Sequence, residues 1–146
     1  MLYLLPNLLD ETCDASLQLP KAVFDAVAEI DGLICENEKE GRRFLKRFRT
    51  KKILQEMPLQ LLNEHTPSKD LEALVAPLIK GQTWGLVSDA GLPCIADPGA
   101  PLVQLARKKN IAIRAFAGPS SLMMALQLSG FSGQRFSFYG YLPKDS

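Results

Sequence analysis

Short apolar runs alternate along this chain with stretches whose apolar residues recur every three or four positions. The runs are LYLLP at 2–6, GLICE at 32–36, the start of PLQLLNEH at 58–65, TWGLVS at 83–88 and IAIRAF at 111–116. Each is continuous rather than alternating, the pattern of strands covered on both faces. Between them, LPKAVFDAVAEID sets Val23, Ala26, Val27 and Ile30 at helical spacing behind Pro20, a residue that a first helical turn tolerates. NEKEGRRFLKRF carries acids early and bases late, the order that suits a helix dipole. TPSKDLEALVAPLIKG reads as a helix with Pro67 near its start and Gly81 just past its end, and Pro77 is expected to kink or shorten it. GAPLVQLARKKN closes on Asn110, and GPSSLMMALQLSG runs from Pro119 to Gly130. RFSFYGYL, at 135–142, reads as a last strand or an exit segment. Strands that alternate with helices predict parallel βαβ units. The expected fold is α/β, a three-layer αβα domain with a mostly parallel sheet of about five strands.

Composition narrows the picture without naming a chemistry. With 146 residues, 47% hydrophobic and 23% charged, the chain suits one domain with a real core. A net charge of +1 gives no global pull toward nucleic acid or membrane, so any such contact must be local. No apolar run reaches the roughly 18 residues that span a bilayer, and MLYLLPNLLDE has no signal-peptide flank. Cys13, Cys35 and Cys94 are odd in number and far apart. They suggest reduced thiols in a cytoplasmic protein and no metal site.

Three loops follow strands and are rich in Gly, Pro and Ser: PNLLDET, SDAGLPCIADPG and AGPSS. In parallel α/β sheets, ligands bind at the carboxyl ends of strands. The middle loop is about twice the usual two to six residues of a βα connection. Gly91 and Gly99 permit close backbone approach, and Pro93 and Pro98 stiffen the loop. No G-x-G-x-x-G and no G-K-[ST] is present, which argues against a nucleoside triphosphate or NAD.

LVSDAGLPCIADPGAPLV, then AGPSSLMMALQLSGF and FSFYGYLPK, resemble the tetrapyrrole (corrin/porphyrin) methylase superfamily. The resemblance is strongest to its ribosomal RNA small subunit methyltransferase branch, with its VSDAGTPLISDPG loop, PGPSA loop and F-x-GFLP exit. It covers nearly the whole chain and sets ICENEKEGRRFLKRF on the family's EDTR segment and LNEHT on its HEHN segment. Here EDTR reads Glu36, Asn37, Glu38, Lys39, GTP reads Gly91, Leu92, Pro93, and the first loop lacks the glycine usual there. The resemblance implies S-adenosylmethionine as cofactor, held in a cleft between two α/β domains. Carried over by position, Pro6, Ala90, Gly91, Leu92, Ile95, Ser120 and Ser121 line that cleft, and Asp89 and Asp97 flank it. It implies that residues 1–140 form an N-terminal methyltransferase domain and 141–146 begin a linker to a second domain. Such a domain alone would be inactive, and its exposed edge would favour self-association, hence a homodimer.

The implied reaction is methylation of an rRNA ribose 2′-hydroxyl, with rRNA or the small ribosomal subunit as partner. A tetrapyrrole C-methyltransferase and a non-catalytic binding module on the same fold are the alternatives. A ribose hydroxyl is a weak nucleophile and benefits from a base. His65, the single histidine, is one candidate, or else an ordinary surface residue. Glu36 is the other, or else a cap of the following helix. GRRFLKRFRTKK places seven bases in twelve residues beside Phe44 and Phe48. Arg42, Arg43, Lys46 and Arg47 are the RNA-binding candidates there, against a merely solvated helix face. Met123 and Met124 fit a core pattern. Cys94 has no histidine or second thiol near it in sequence, which argues against a nucleophile.

Overall fold

The computed structural model describes residues 1–141. The sequence assigns residues 141–146 to the start of a linker, of which 142–146 lie outside the described residues. Five strands form one all-parallel sheet: β1 Leu2–Leu4, β2 Gly32–Cys35, β3 Leu59–Leu61, β4 Trp84–Leu86 and β5 Ile113–Ala115. The helices are α1 Ala15–Gln18, α2 Lys21–Glu29, α3 Glu38–Leu45, α4 Leu71–Ile79, α5 Ala100–Lys108 and α6 Ser121–Ser129. The strand order is β3-β2-β4-β1-β5.

The apolar runs of the central strands are continuous because those strands feed two cores, whereas the edge strands β3 and β5 are partly exposed. Tyr3, Leu5, Leu33, Cys35 and Val87 join Val23 and Val27 of α2 and Phe44 and Leu45 of α3 on one face. Leu2, Ile34, Trp84 and Leu86 join Leu74, Val75 and Leu78 of α4 and Leu102 and Ala106 of α5 on the other. The three layers of an αβα domain follow directly, and the expected fold is the observed one. Close packing leaves no room at Gly32, where a Cβ would lie 2.5 Å from the Trp84 ring.

Local signals set the helix ends. Asn37 caps α3, its side chain accepting from the Glu40 amide at 2.9 Å. Gly81 and Gly130 follow α4 and α6 at φ +85° and +70°, backbone conformations that glycine adopts without steric cost. Pro77 neither ends nor shortens α4, which runs on to Ile79. The short α1 was not visible in the sequence; Asp14 caps it through the Ser16 amide at 2.8 Å. The exit alternative holds for the described part of RFSFYGYL, since residues 135–141 form no strand.

The basic run does not behave as one surface. Arg42 turns inward, donating from Nη1 to the carbonyls of Leu54 and, at 2.8 Å, Met57. It thereby ties α3 to residues 54–57, just ahead of β3 in the chain. Lys46, at the C-cap of α3, is exposed. Losing a charged donor from two carbonyls costs about 2 kcal/mol. Arg42→Ala therefore lowers stability by about that amount in urea melts, whereas Lys46→Ala stays within about 0.5 kcal/mol of the parent.

Candidate functional site

Adjacent strands β1 and β4 send their chains to opposite faces of the sheet. β1 leads to α2 in one core and β4 to α5 in the other. That divergence is a topological switch point, where a crevice must open at the carboxyl edge. Asn7 spans it. Its amide donates to the carbonyl of Gly91 at 2.8 Å, and its Nδ2 donates to the carbonyls of Ser88 and Asp89 at 3.0 and 2.9 Å. Its Oδ1 accepts from the Leu8 amide at 2.8 Å and from Arg47 Nη1 at 3.1 Å. The side of the crevice toward β5 is closed by Pro6 against Gly118, where a Cβ would come 2.1 Å from the Pro6 Cβ. Gly91 lies across from the Pro119 carbonyl, 3.5 Å from where its own Cβ would be. The three glycine- and proline-rich loops thus form one cluster.

The loop at 87–99 owes its shape to Asp97. Its carboxylate accepts from the Cys94 amide at 2.6 Å and the Gly99 amide at 2.7 Å. Within that wrap, Gly91, Cys94 and Ala96 hold φ of +69°, +71° and +57°. Left-handed conformations at non-glycine residues cost energy and concentrate at functional loops. Burial pushes the Cys94 thiol up to about 12, with the Asp97 charge adding to it. It is therefore not a nucleophile at neutral pH, as its isolation in sequence suggested.

Two adjoining hollows result. One, of about 380 Å³, is lined by Ala90, Gly91, Leu92, Ile95, Ser120 and Ser121, together with Leu9, Ala96, Leu122, Phe138, Gly140 and Tyr141. Six of the candidate cofactor residues meet there. Pro6 does not line it; the residue is buried beneath, against Gly118, and Leu9 takes the place on the wall. The other hollow, of about 880 Å³, is lined by Glu36, Asn37, Asn63, Glu64, His65, Ser88, Asp89 and Asp97, and shares Ala90, Ile95 and Ala96 with the first. The two base candidates, Glu36 and His65, therefore face one space. Capping of α3 falls to Asn37, and the Glu36 Oε1 accepts from the Asp89 amide at 3.2 Å. His65 is largely exposed and lies 3.5 Å from the Glu64 carboxylate.

This second hollow is acidic. Burial raises the Glu36 carboxyl above its ordinary value, with the charges of Asp89, Asp97 and Glu64 adding to it. Burial likewise raises Asp89, helped by Glu40 and Glu11. A carboxyl whose folded value is raised costs stability above that value and nothing below the unfolded one. Asp89→Asn is therefore expected to melt higher than the parent at neutral pH. The advantage should fade as pH falls through the raised Asp89 titration and vanish below the ordinary carboxylate range. Melting temperatures across that window check it.

Three RNA-binding candidates are engaged internally. Arg42 holds the carbonyls described above, Arg43 pairs with Glu11 and, at 3.1 Å, Glu40, and Arg47 reaches Asn7. Lys46 alone of the four is exposed without such a tie among the described residues. Among the described residues no cluster of three or more His, Cys, Asp or Glu side chains could hold a metal ion, and no helix is long and apolar enough to cross a membrane. Asn7, Leu9, Ala96, Leu122 and the aromatics Phe138 and Tyr141 were missed from sequence. Only Asn7 carried a signal, as an amide directly after a strand-ending proline.

Fold and crevice define a parallel α/β domain whose three βα loops meet at the carboxyl edge of the sheet. No family model matches the chain. Curated proteins do, each called ribosomal RNA small subunit methyltransferase I. The Xylella fastidiosa protein is 40% identical over 112 residues, 76% of this chain and 39% of that protein. The Thermotoga maritima protein is 35% identical over 116 residues, 80% of this chain and 50% of the relative. The Vibrio cholerae protein is 30% identical over 148 aligned positions, all of this chain and 48% of the relative. The chain belongs to that family, within the superfamily its loops resemble, and spans about half the length or less of the relatives it matches.

Proposed function

We propose that this chain forms the cofactor-binding part of an S-adenosylmethionine-dependent methyltransferase acting on ribosomal RNA. One observation carries the reading: the loops at 87–99 and 117–122 join across the switch point into a single hollow. The lining fits such a cofactor. Leu92, Ile95 and Leu122 offer apolar surface to a nucleoside, Ser120 and Ser121 offer hydroxyls, and the Glu36–Asp89 carboxylates next door complement a cationic sulfonium. When bound, the cofactor supplies an activated methyl group, so the protein has mainly to position and desolvate. The stiff, Asp97-wrapped loop fixes the wall, and Gly91 lets the backbone come close.

The acceptor is an RNA ribose 2′-hydroxyl entering the acidic hollow. Glu36 is placed to take its proton. The raised titration of Glu36 makes it a better base than a free glutamate, at the expense of some ionised fraction. His65 lies at the same rim as the second candidate. The enzyme works in the cytoplasm on rRNA or the small subunit. Exposed apolar residues of α6 and the segment after it, Leu128 and Phe131 among them, support a homodimer.

The whole protein, incubated with labelled donor and, in separate reactions, bulk rRNA or a tetrapyrrole, should label the rRNA, with the label recovered in alkali-resistant dinucleotides because a 2′-O-methyl blocks cleavage of the adjacent 3′-phosphodiester. Label on a tetrapyrrole instead, or on neither acceptor, would refute the reading.

A further inference from the structure

The seven bases of residues 41–52 divide into two sets. Arg42, Arg43 and Arg47 are engaged within the protein. Lys46, Arg49, Lys51 and Lys52 are exposed. Lys46, Lys51 and Lys52 rim a shallow hollow of about 450 Å³ floored by Leu45, Phe48, Ile53 and Leu54, and Arg49 sits between them in sequence. Ile53 is 62% exposed, and the Phe48 ring is braced by Phe24 and Phe44. Asp31 is the acid found against this rim among the described residues, at 3.3 Å from Lys51 Nζ, with Lys52 Nζ 3.4 Å from its carbonyl. That carboxylate is already used, accepting from the Thr83 amide at 2.8 Å.

Position gives the patch its meaning. Asp31 and Thr83 stand immediately before β2 and β4, at the amino edge of the sheet. The cleft lies at the carboxyl edge. The patch is therefore not part of the reaction site.

We infer that the rim of Lys46, Arg49, Lys51 and Lys52 is a docking surface for the RNA phosphate backbone, anchoring the acceptor away from the cleft. The inference rests on the RNA reading above. Three cations around a concave apolar floor, with the exposed Arg49 next to them in the chain, match phosphates with sugars or bases between them. A membrane would instead meet a protruding apolar face rimmed by bases. An anchor at the opposite edge strengthens RNA binding without touching the methyl donor.

The test replaces Lys46, Arg49, Lys51 and Lys52 by Ala in the whole protein. Bulk rRNA binding is followed over a range of salt, and donor binding by calorimetry. Four lost phosphate contacts should flatten the log–log salt slope by about three and weaken low-salt binding by about 100-fold. Donor affinity should not change, and RNA KM should rise with kcat preserved. The double variant Lys46→Ala/Arg49→Ala, which leaves both Asp31 contacts in place, should show about half the slope change. Unchanged RNA affinity and slope in a folded variant overturn the docking surface and leave the RNA reading standing. A parent protein that binds no RNA overturns both. A variant that keeps its RNA affinity but loses binding to phosphatidylserine vesicles assigns the patch to lipid, and likewise overturns the inference.

Discussion

Gly118→Ala should lower stability by about 3 kcal/mol, a melting shift near 10 °C for a chain of this size. A methyl there would meet the Pro6 Cβ at 2.1 Å and its Cγ at 2.6 Å. Neither atom can swing aside, because the proline ring is fixed and buried. The clash can be relieved only by parting the β1 and β5 loops, which opens the cleft. Donor binding should therefore weaken along with stability. Gly133→Ala is the control. Its Cβ would meet only Leu126, at 3.6 Å, and it should fall within about 0.5 kcal/mol of the parent. Calorimetric melts of the two variants side by side decide the point. A Gly118→Ala protein as stable as Gly133→Ala would show that the loops do not touch as described.

Asn7→Ala should be nearly as damaging, at about 2–4 kcal/mol. Asn7 is 6% exposed, and its side chain makes four hydrogen bonds, two of them across the switch point to the Ser88 and Asp89 carbonyls and the others to the Leu8 amide and Arg47. Alanine leaves the Ser88 and Asp89 carbonyls without their shared donor and frees the Arg47 guanidinium. Asn7→Asp separates the two halves of this role. It keeps the acceptor toward Leu8 and Arg47, but sets a carboxylate oxygen against two carbonyls. It should rescue little of the lost stability. Urea melts of both variants check this, and full rescue by aspartate would mean that the donor half does nothing.

Much of this architecture is legible in the sequence because local physics carries it. Continuous apolar runs such as GLIC appear only where both faces are covered, and Gly81 and Gly130 mark helix ends through the φ they permit. The long loop after β4 stands out by length and by its glycines and prolines. What stayed hidden depends on contacts remote in sequence. Asn7 and Ser88 are 81 positions apart, and an amide after a strand-ending proline does not say which remote carbonyls it bridges. Arg42 and Lys46 look alike within a basic run. Only the fold turns one inward to Leu54 and Met57 and leaves the other in water. Motif position alone sets Pro6 on the cleft wall, whereas in the fold it is buried against Gly118 and does not line the hollow.

The proposed seat of the methyl donor is the hollow formed by the joined loops beside the β1–β4 switch point. Titrating isotopically labelled protein with S-adenosylmethionine, and following each backbone amide by NMR, tests it most directly, because weak binding is still mapped. Concentration-dependent shifts should concentrate at Leu9, Ala90 to Ala96 and Ser120 to Leu122, with the amides around Lys46 to Lys52 unmoved. Shifts confined to the amino edge of the sheet, or none at donor concentrations that saturate the whole enzyme, would contradict it.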